Sequence, residues 1–263
     1  MHNLKKKARI MNLKFSMALV TGGAVRIGRA ICEALADRGC GVAIHYHHSR
    51  AEAAALCRRL EKKGARACIV RGNLDSRAAC EKVIRDARRK AGELNILINN
   101  AAVFHKDTLE SASEEKLLSE MRVNLFAPIT LTRAFASRCL NQEPRTRNQE
   151  HILGKIVNLL DRRITGNDPT CVPYLLSKKM LAEFTRTAAV ELAPRFTVNG
   201  VAPGAILPPP GERAGRVRDL AGESPLKRRC TPEEVAEAVV FLLESDAITG
   251  QTLFVDGGQH LLS

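Results

Sequence analysis

Thr21-Gly22-Gly23-Ala24-Val25-Arg26-Ile27-Gly28 follows the apolar run Met17 to Val20 and leads into a helical pattern over Arg26 to Arg38. A glycine-rich turn between a strand and a helix lets backbone approach a pyrophosphate, and the helix start offers unpaired N–H groups and a partial positive charge. A tight structural turn would use the same glycines, but the strand before and the helix after favour dinucleotide binding. The rhythm continues outward from this turn. Gly41 to Tyr46, Arg66 to Arg71, Leu94 to Ile98, Lys155 to Leu160, Thr197 to Val201 and Thr252 to Val255 read as further strands. Helical patterns cover Arg50 to Lys63, Arg77 to Ala91, a broken region from Glu114 to Cys139, Tyr174 to Leu192, and Pro232 to Leu243. Strands alternating with helices predict one α/β domain, a doubly wound parallel sheet of about seven strands with helices on both faces.

A chain of 263 residues, 45% hydrophobic and 26% charged, suits one globular core. It holds no apolar run of the ~18 residues that a membrane span needs, so no membrane partner is expected. The net charge is +13, and residues 1–16 supply five of those charges through Lys5, Lys6, Lys7, Arg9 and Lys14. This segment reads as a disordered basic extension, with Met11 or Met17 as alternative starts, and 17–263 as the domain. The remaining charge admits an anionic partner, whether nucleic acid, a membrane surface or a phosphorylated small molecule. The absence of helix-turn-helix, zinc and RNA-recognition motifs argues against nucleic acid. Eight cysteines form no CxxC pair and no zinc spacing, so no metal is expected. Their apolar surroundings suit reduced thiols and a cytoplasmic location.

About 20 residues past the glycine turn, the second strand ends in His45-Tyr46-His47-His48-Ser49-Arg50, with no acid before Glu52. An acid there would hold a 2′-hydroxyl and repel a 2′-phosphate, whereas hydroxyl and cationic groups welcome the phosphate, so NADPH is expected over NADH. Asn73-Leu74 and Asn99-Asn100-Ala101-Ala102 follow the third and fourth strands and could line the nucleotide. Tyr174 and Lys178 lie four apart on one helical face. A phenol titrates near ~10 and needs a nearby cation to work as a proton shuttle, and Lys178 is the expected cation. Two long loops, Asn141 to His151 and Gly204 to Leu226, break the pattern, and the second follows a strand end where such sheets place ligands.

Together, Thr21-Gly22 through Gly28, Asn99-Asn100-Ala101, Asn124, Tyr174 with Lys178, Pro203-Gly204 and Asp256-Gly257-Gly258 resemble the short-chain dehydrogenase/reductase family over residues 16–263. The resemblance implies a Rossmann sheet and a homotetramer. It assigns Lys178 to the nicotinamide ribose, Asn124 to a helix kink supporting a water chain, and Pro203 and Gly204 to the nicotinamide amide. Two positions depart from the family. Asp161 stands where a serine normally holds the substrate carbonyl, and Arg26 replaces the middle glycine of the first turn. With His45-Tyr46-His47 and Phe104, these departures resemble the pteridine reductase branch. A carboxylate suits the ring nitrogens and amino group of a pterin, Arg26 its oxygen edge, and Phe104 its flat face.

The expected reaction is therefore NADPH-dependent reduction of a C=N bond in a dihydropteridine, with dihydrofolate and dihydromonapterin as further candidates. The catalytic set is Asp161, Tyr174, Lys178 and Asn124. Substrate contacts are expected from Arg26, Phe104, Asp161, Tyr174, Ile206 and Leu207, with the loop from Ala205 to Leu226 as a lid. The alternatives are a ketoreductase of the same family acting on a 3-oxoacyl thioester, and a non-catalytic NADPH-sensing or nucleic-acid-associated protein.

Overall fold

The computed structural model describes residues 11–140, 152–206 and 224–262. Seven strands, β1 (Met17–Val20), β2 (Gly41–Tyr46), β3 (Ala67–Arg71), β4 (Ile96–Asn99), β5 (Gly154–Leu159), β6 (Phe196–Pro203) and β7 (Thr252–Val255), form one sheet in the order β3-β2-β1-β4-β5-β6-β7. Every neighbouring pair is parallel. The helices are α1 (Arg26–Asp37), α2 (Arg50–Lys62), α3 (Arg77–Ala91), α4 (Glu114–Met121), α5 (Ala127–Leu140), α6 (Val172–Glu191) and α7 (Pro232–Glu244).

The period-2 alternation of β1 divides the core. Ala18 and Val20 pack with the apolar residues of α1, α2 and α7, while Met17 and Leu19 pack with those of α3, α5 and α6. Covered on both faces, strands such as β2 and β4 are buried along their whole length, which is why they read as continuous apolar runs. Strand order reverses between β1 and β4, and ligands of open α/β sheets bind outside the strand ends at such a switch point.

Two features refine the expected outline. Asn12 caps a short 3-10 turn at Leu13–Phe15, and Leu13 is 5% exposed within the core. The domain therefore begins before Met17, which corrects the reading of residues 11–16 as part of a disordered extension; residues 1–10 lie outside the described residues. The break foreseen between Glu114 and Cys139 is a π-helical turn at Arg122–Phe126 that contains Asn124. Most of both long loops, 141–151 and 207–223, also lies outside the described residues.

Candidate active site

The glycine turn is held by β4. Thr21 Oγ1 accepts from the Asn100 and Ala101 N–H groups at 2.9 and 3.0 Å, and Asn100 Nδ2 donates to the carbonyls of Thr21 and Gly22 at 2.8 and 3.1 Å. Gly22 adopts φ +60°. A Cβ on Gly28 would lie 2.2 Å from the Gly22 oxygen, so only glycine lets the helix start this close to the turn. Among the described residues, α1 has neither a side-chain cap nor an acid in its first turn. Its leading N–H groups and the positive end of its dipole are left for an anion. These features fit a dinucleotide pyrophosphate. Arg26 stands exposed at the helix start with φ +54°, a left-handed conformation that costs a side-chain-bearing residue about 1–2 kcal/mol.

His45 lies beneath the turn and does not face a ligand. It is 2% exposed; its Nδ1 accepts from the Gly22 N–H at 3.2 Å, leaving Nε2 to donate to the Gly72 carbonyl at 3.2 Å. This geometry needs the neutral ring, and burial lowers the imidazole to about 4. The folded value lies below the ordinary one, so this contribution to stability is complete above about 6.5 and is lost as pH falls toward 4. The loss is about 3 kcal/mol at 1.36 per pH unit. In urea unfolding at pH 7 and pH 4, the stability advantage of the wild type over His45→Gln is expected to shrink by about that much; an unchanged difference would contradict the tautomer assignment.

Beyond His45, the end of β2 turns outward. His47 and His48 are exposed, with ring centroids 3.7 Å apart, and His47 is held below the usual imidazole value by partial burial and then by the positive charge of His48 and Arg71. Ser49 sits at the N-cap of α2 without making a side-chain capping bond, followed by exposed Arg50. Two imidazoles, a hydroxyl, two guanidinium groups and a helix N-terminus thus share one corner, which suits a phosphate. Arg71, in register with Tyr46 across β2 and β3, is the member of this corner that the sequence reading missed.

The chemical centre lies past β5. Tyr174 on α6 donates its hydroxyl proton to Asp161 Oδ2 at 3.0 Å. Arg163, on the 3-10 turn that Asp161 caps, donates Nη1 to the same oxygen at 3.0 Å and its backbone N–H to Asp161 Oδ1 at 2.9 Å. Arg163 Nε donates to Asp168 Oδ2 at 2.9 Å, and Asp168 is held by Thr170. The Phe104 ring meets Tyr174 edge-on at 4.8 Å. Lys178, one turn along α6 and 2% exposed, donates to the Leu159 carbonyl at 2.7 Å. Burial lowers its ammonium to about 8 against the opposing pull of Asp161 and Glu120.

The phenol of Tyr174 is pushed well above its ordinary value, first by burial and then by Asp161. The cation that opposes this rise is Arg163. Lys178 is turned to Leu159, and Tyr174 stands as a neutral acid with its proton pointed at a carboxylate.

Asn124 is fully buried. It accepts from Val103 N–H at 2.9 Å and donates to the Val103 carbonyl, Glu120 Oε2 and Ser177 Oγ at 2.9, 2.7 and 3.1 Å. Glu120 in turn accepts from both the backbone N–H and Nδ1 of His105. Residues 103 and 105 are thus pinned while Phe104 between them faces Tyr174. Asn124 ties the helix break to the Val103 backbone and to α6.

Among the other expected contacts, half-buried Ile27, Asn73 and Ala101 and exposed Ala102 remain at the strand ends. Pro203 ends β6, and Gly204 is pressed against Asp256, which its missing Cβ would meet at 2.8 Å. The side chains of Tyr46, Leu74 and Ile206 are 6%, 6% and 3% exposed and pack against the core, and Ile206 also lines a small cavity with Gly204, Ala205 and Gln259. Leu207 lies outside the described residues. Arg163, Asp168 and Glu120 escaped the sequence reading because nothing in a single sequence shows which charged side chains turn inward; the nearest signal was Arg163 two residues after Asp161.

The family profile described as enoyl-(acyl carrier protein) reductase matches residues 23–260. The crystal structure of FolM alternative dihydrofolate reductase 1 from Brucella canis complexed with NADP is similar at a TM-score of 0.86 and 34% identity, covering 95% of this chain and 96% of that one. Pteridine reductase 1 of Leishmania tarentolae is 31% identical, covering 93% of this chain and 96% of its own length. A 3-oxoacyl-[acyl-carrier-protein] reductase of Staphylococcus epidermidis is 30% identical, over 93% and 98%. With the sheet order, the glycine turn, and Tyr174 and Lys178 on one face of α6, these matches show that the chain belongs to the short-chain dehydrogenase/reductase family.

Proposed function

We propose that the protein is an NADPH-dependent reductase of pterins, acting on a C=N bond of a dihydropteridine, with dihydrofolate and dihydromonapterin in the same substrate class. The observation that carries this reading is the Tyr174–Asp161 pair. At the position where the family's serine would offer a hydroxyl to a carbonyl, the chain presents a carboxylate whose oxygens accept hydrogen bonds from Tyr174 and Arg163. An acceptor suits the N–H and amino groups of a pterin and repels a ketone oxygen. The similarity to FolM and to pteridine reductase 1 supports the same substrate class.

NADPH supplies, when bound, the hydride that adds to the C=N carbon while the bond's electron pair moves to nitrogen. Tyr174 holds the proton that this nitrogen takes. Asp161 fixes the direction of the Tyr174 hydroxyl and accepts from the substrate's N–H edge. Phe104, pinned through Asn124 and Glu120, forms an aromatic wall beside Tyr174. The glycine turn and the N-terminus of α1 hold the pyrophosphate, and Lys178 stands ready for a ribose hydroxyl. The assembly is proposed to be a homotetramer, as the family resemblance implies.

A diaminopteridine antifolate should compete with the pterin in steady-state assays. Failure to compete at concentrations saturating for known pterin sites would point to the ketoreductase activity of the Staphylococcus relative instead. Cofactor choice gives a second test. Ser49→Asp places an acid at the proposed 2′-phosphate corner, and a loss of about 1.4 kcal/mol or more raises KM for NADPH at least tenfold while sparing NADH. Equal changes for both cofactors would overturn the placement.

A further inference from the structure

Asp161 Oδ2 is shared. It accepts from the Tyr174 hydroxyl and from Arg163 Nη1, each at 3.0 Å. Any proton leaving Tyr174 therefore leaves a phenolate against a carboxylate, two negative charges separated by one hydrogen-bond length. Unbalanced, this repulsion would oppose the very transfer the site is built for. Lys178 stands on the other side of the ring: its ammonium feels the charge of Asp161 and lies 5.9 Å from the centre of the Tyr174 ring, but its hydrogen bond goes to the Leu159 carbonyl and not to the shared oxygen. Arg163 does face it.

From this geometry we infer that Arg163 is a positioning residue for the reaction, the cation that aligns Asp161 and balances its charge so that Tyr174 can release its proton. The inference rests on the reading of Tyr174 as proton donor and adds a second cation to it. The guanidinium is well fixed for the task. It bridges Asp161 and Asp168, with Asp168 held by the backbone N–H and hydroxyl of Thr170, and its side chain is 24% exposed. Its carbon also stands 5.9 Å over the Phe104 ring, which gives it an aromatic support. Besides Arg163, the charged and titratable groups that face Tyr174 are Asp161, Glu120 and, over its ring, Lys178; those that face Arg163 are Asp161, Asp168, Cys171 and Tyr174. Among these, the positive charge of Arg163 is the one that opposes the hold of Asp161 on the phenol proton. Nη1 reaches both Asp161 oxygens, at 3.0 and 3.3 Å, while Nε is held by Asp168, so a fixed planar cation sets the position and the charge of the carboxylate, which a flexible ammonium does less well.

The test compares Arg163→Met, Arg163→Lys and Tyr174→Phe in the full chain with NADPH and dihydrobiopterin. Arg163→Met should lower kcat about 10- to 100-fold with KM for the pterin changed less than threefold, and should raise the solvent deuterium isotope effect on kcat as proton release becomes limiting. Arg163→Lys should recover part of kcat, because it restores charge without the paired geometry. Thermal unfolding and NADPH affinity, measured alongside, report whether the fold and cofactor site survive. If Arg163→Met destabilises the chain, Asp168→Asn, which loosens the guanidinium from outside, should show the same kcat and isotope pattern more weakly. A folded Arg163→Met variant with wild-type kcat and isotope effect, beside an inactive Tyr174→Phe, overturns the role of Arg163 alone. A fully active Tyr174→Phe overturns this inference together with the proton-donor reading.

Discussion

Tyr174→Phe is expected to lower kcat by about 10²- to 10⁴-fold, the range typical of a positioned general acid. The substitution removes a single oxygen. The ring, its edge-on contact with Phe104 and its seat on α6 stay in place, so NADPH affinity should change little. The neutral phenol makes the prediction sharper. Because burial and Asp161 hold the proton on Tyr174, the group is in its donating form throughout the neutral range. Lys178, one turn along α6, is buried and bonded to Leu159 instead. Turnover within threefold of wild type would remove Tyr174 from the chemistry.

Asp161→Ala should be nearly as damaging, with kcat/KM for a dihydropterin reduced at least 10²-fold. Three donors lose their acceptor at once: the Tyr174 hydroxyl, the Arg163 guanidinium and the Arg163 backbone N–H. The last two are charge-assisted or buried contacts of the kind that cost about 1.5–3 kcal/mol each to remove. The substrate's N–H edge loses its partner as well. Asp161→Ser separates the readings, since it restores the family's hydroxyl. If the carboxylate selects a nitrogen heterocycle, the serine variant should be no better than alanine with pterins; full pterin activity in the serine variant would mean that the carboxylate is incidental.

How far the sequence could lead depended on the range of the interactions concerned. Local patterns carried well. The α3 boundaries at Arg77 and Ala91 and the strand-turn-helix at Gly22 to Gly28 follow from periodicity and turn chemistry within a few residues, whereas the kink at Asn124 was implied by the family resemblance. The seven-stranded parallel sheet agrees with the Rossmann sheet that the family resemblance implied. The side-chain direction at strand ends was harder to read. His45 and Tyr46 close a strand buried on both faces, whereas His47 and His48, one step later, are exposed. The strand's end at Tyr46 was legible, but nothing in the string His-Tyr-His-His shows that the first two side chains turn inward. Arg163 was missed for a related reason. Its partners Asp161 and Asp168 are close in sequence, but only the 3-10 turn folds its guanidinium back onto the Tyr174 hydroxyl's acceptor. A charged residue in a polar loop reads as solvated until its turn is known.

The charge and the scarcity of tyrosine also take on meaning at the site. Of the two tyrosines, Tyr46 is packed in the core and Tyr174 holds the proposed proton. Arg26, Arg50, Arg71 and Arg163 stand at the glycine turn, the phosphate corner and the carboxylate pair, so the positive charge outside the N-terminal segment is concentrated in part where one phosphorylated cofactor and one buried acid would use it.

The most direct test is kcat/KM for the purified protein with NADPH, measured side by side for a dihydropterin and a 3-oxoacyl thioester. The carboxylate at position 161 predicts turnover of the pterin and a preference over the thioester of at least 10²-fold; a preference for the thioester, or NADPH oxidation with neither, would contradict the assignment.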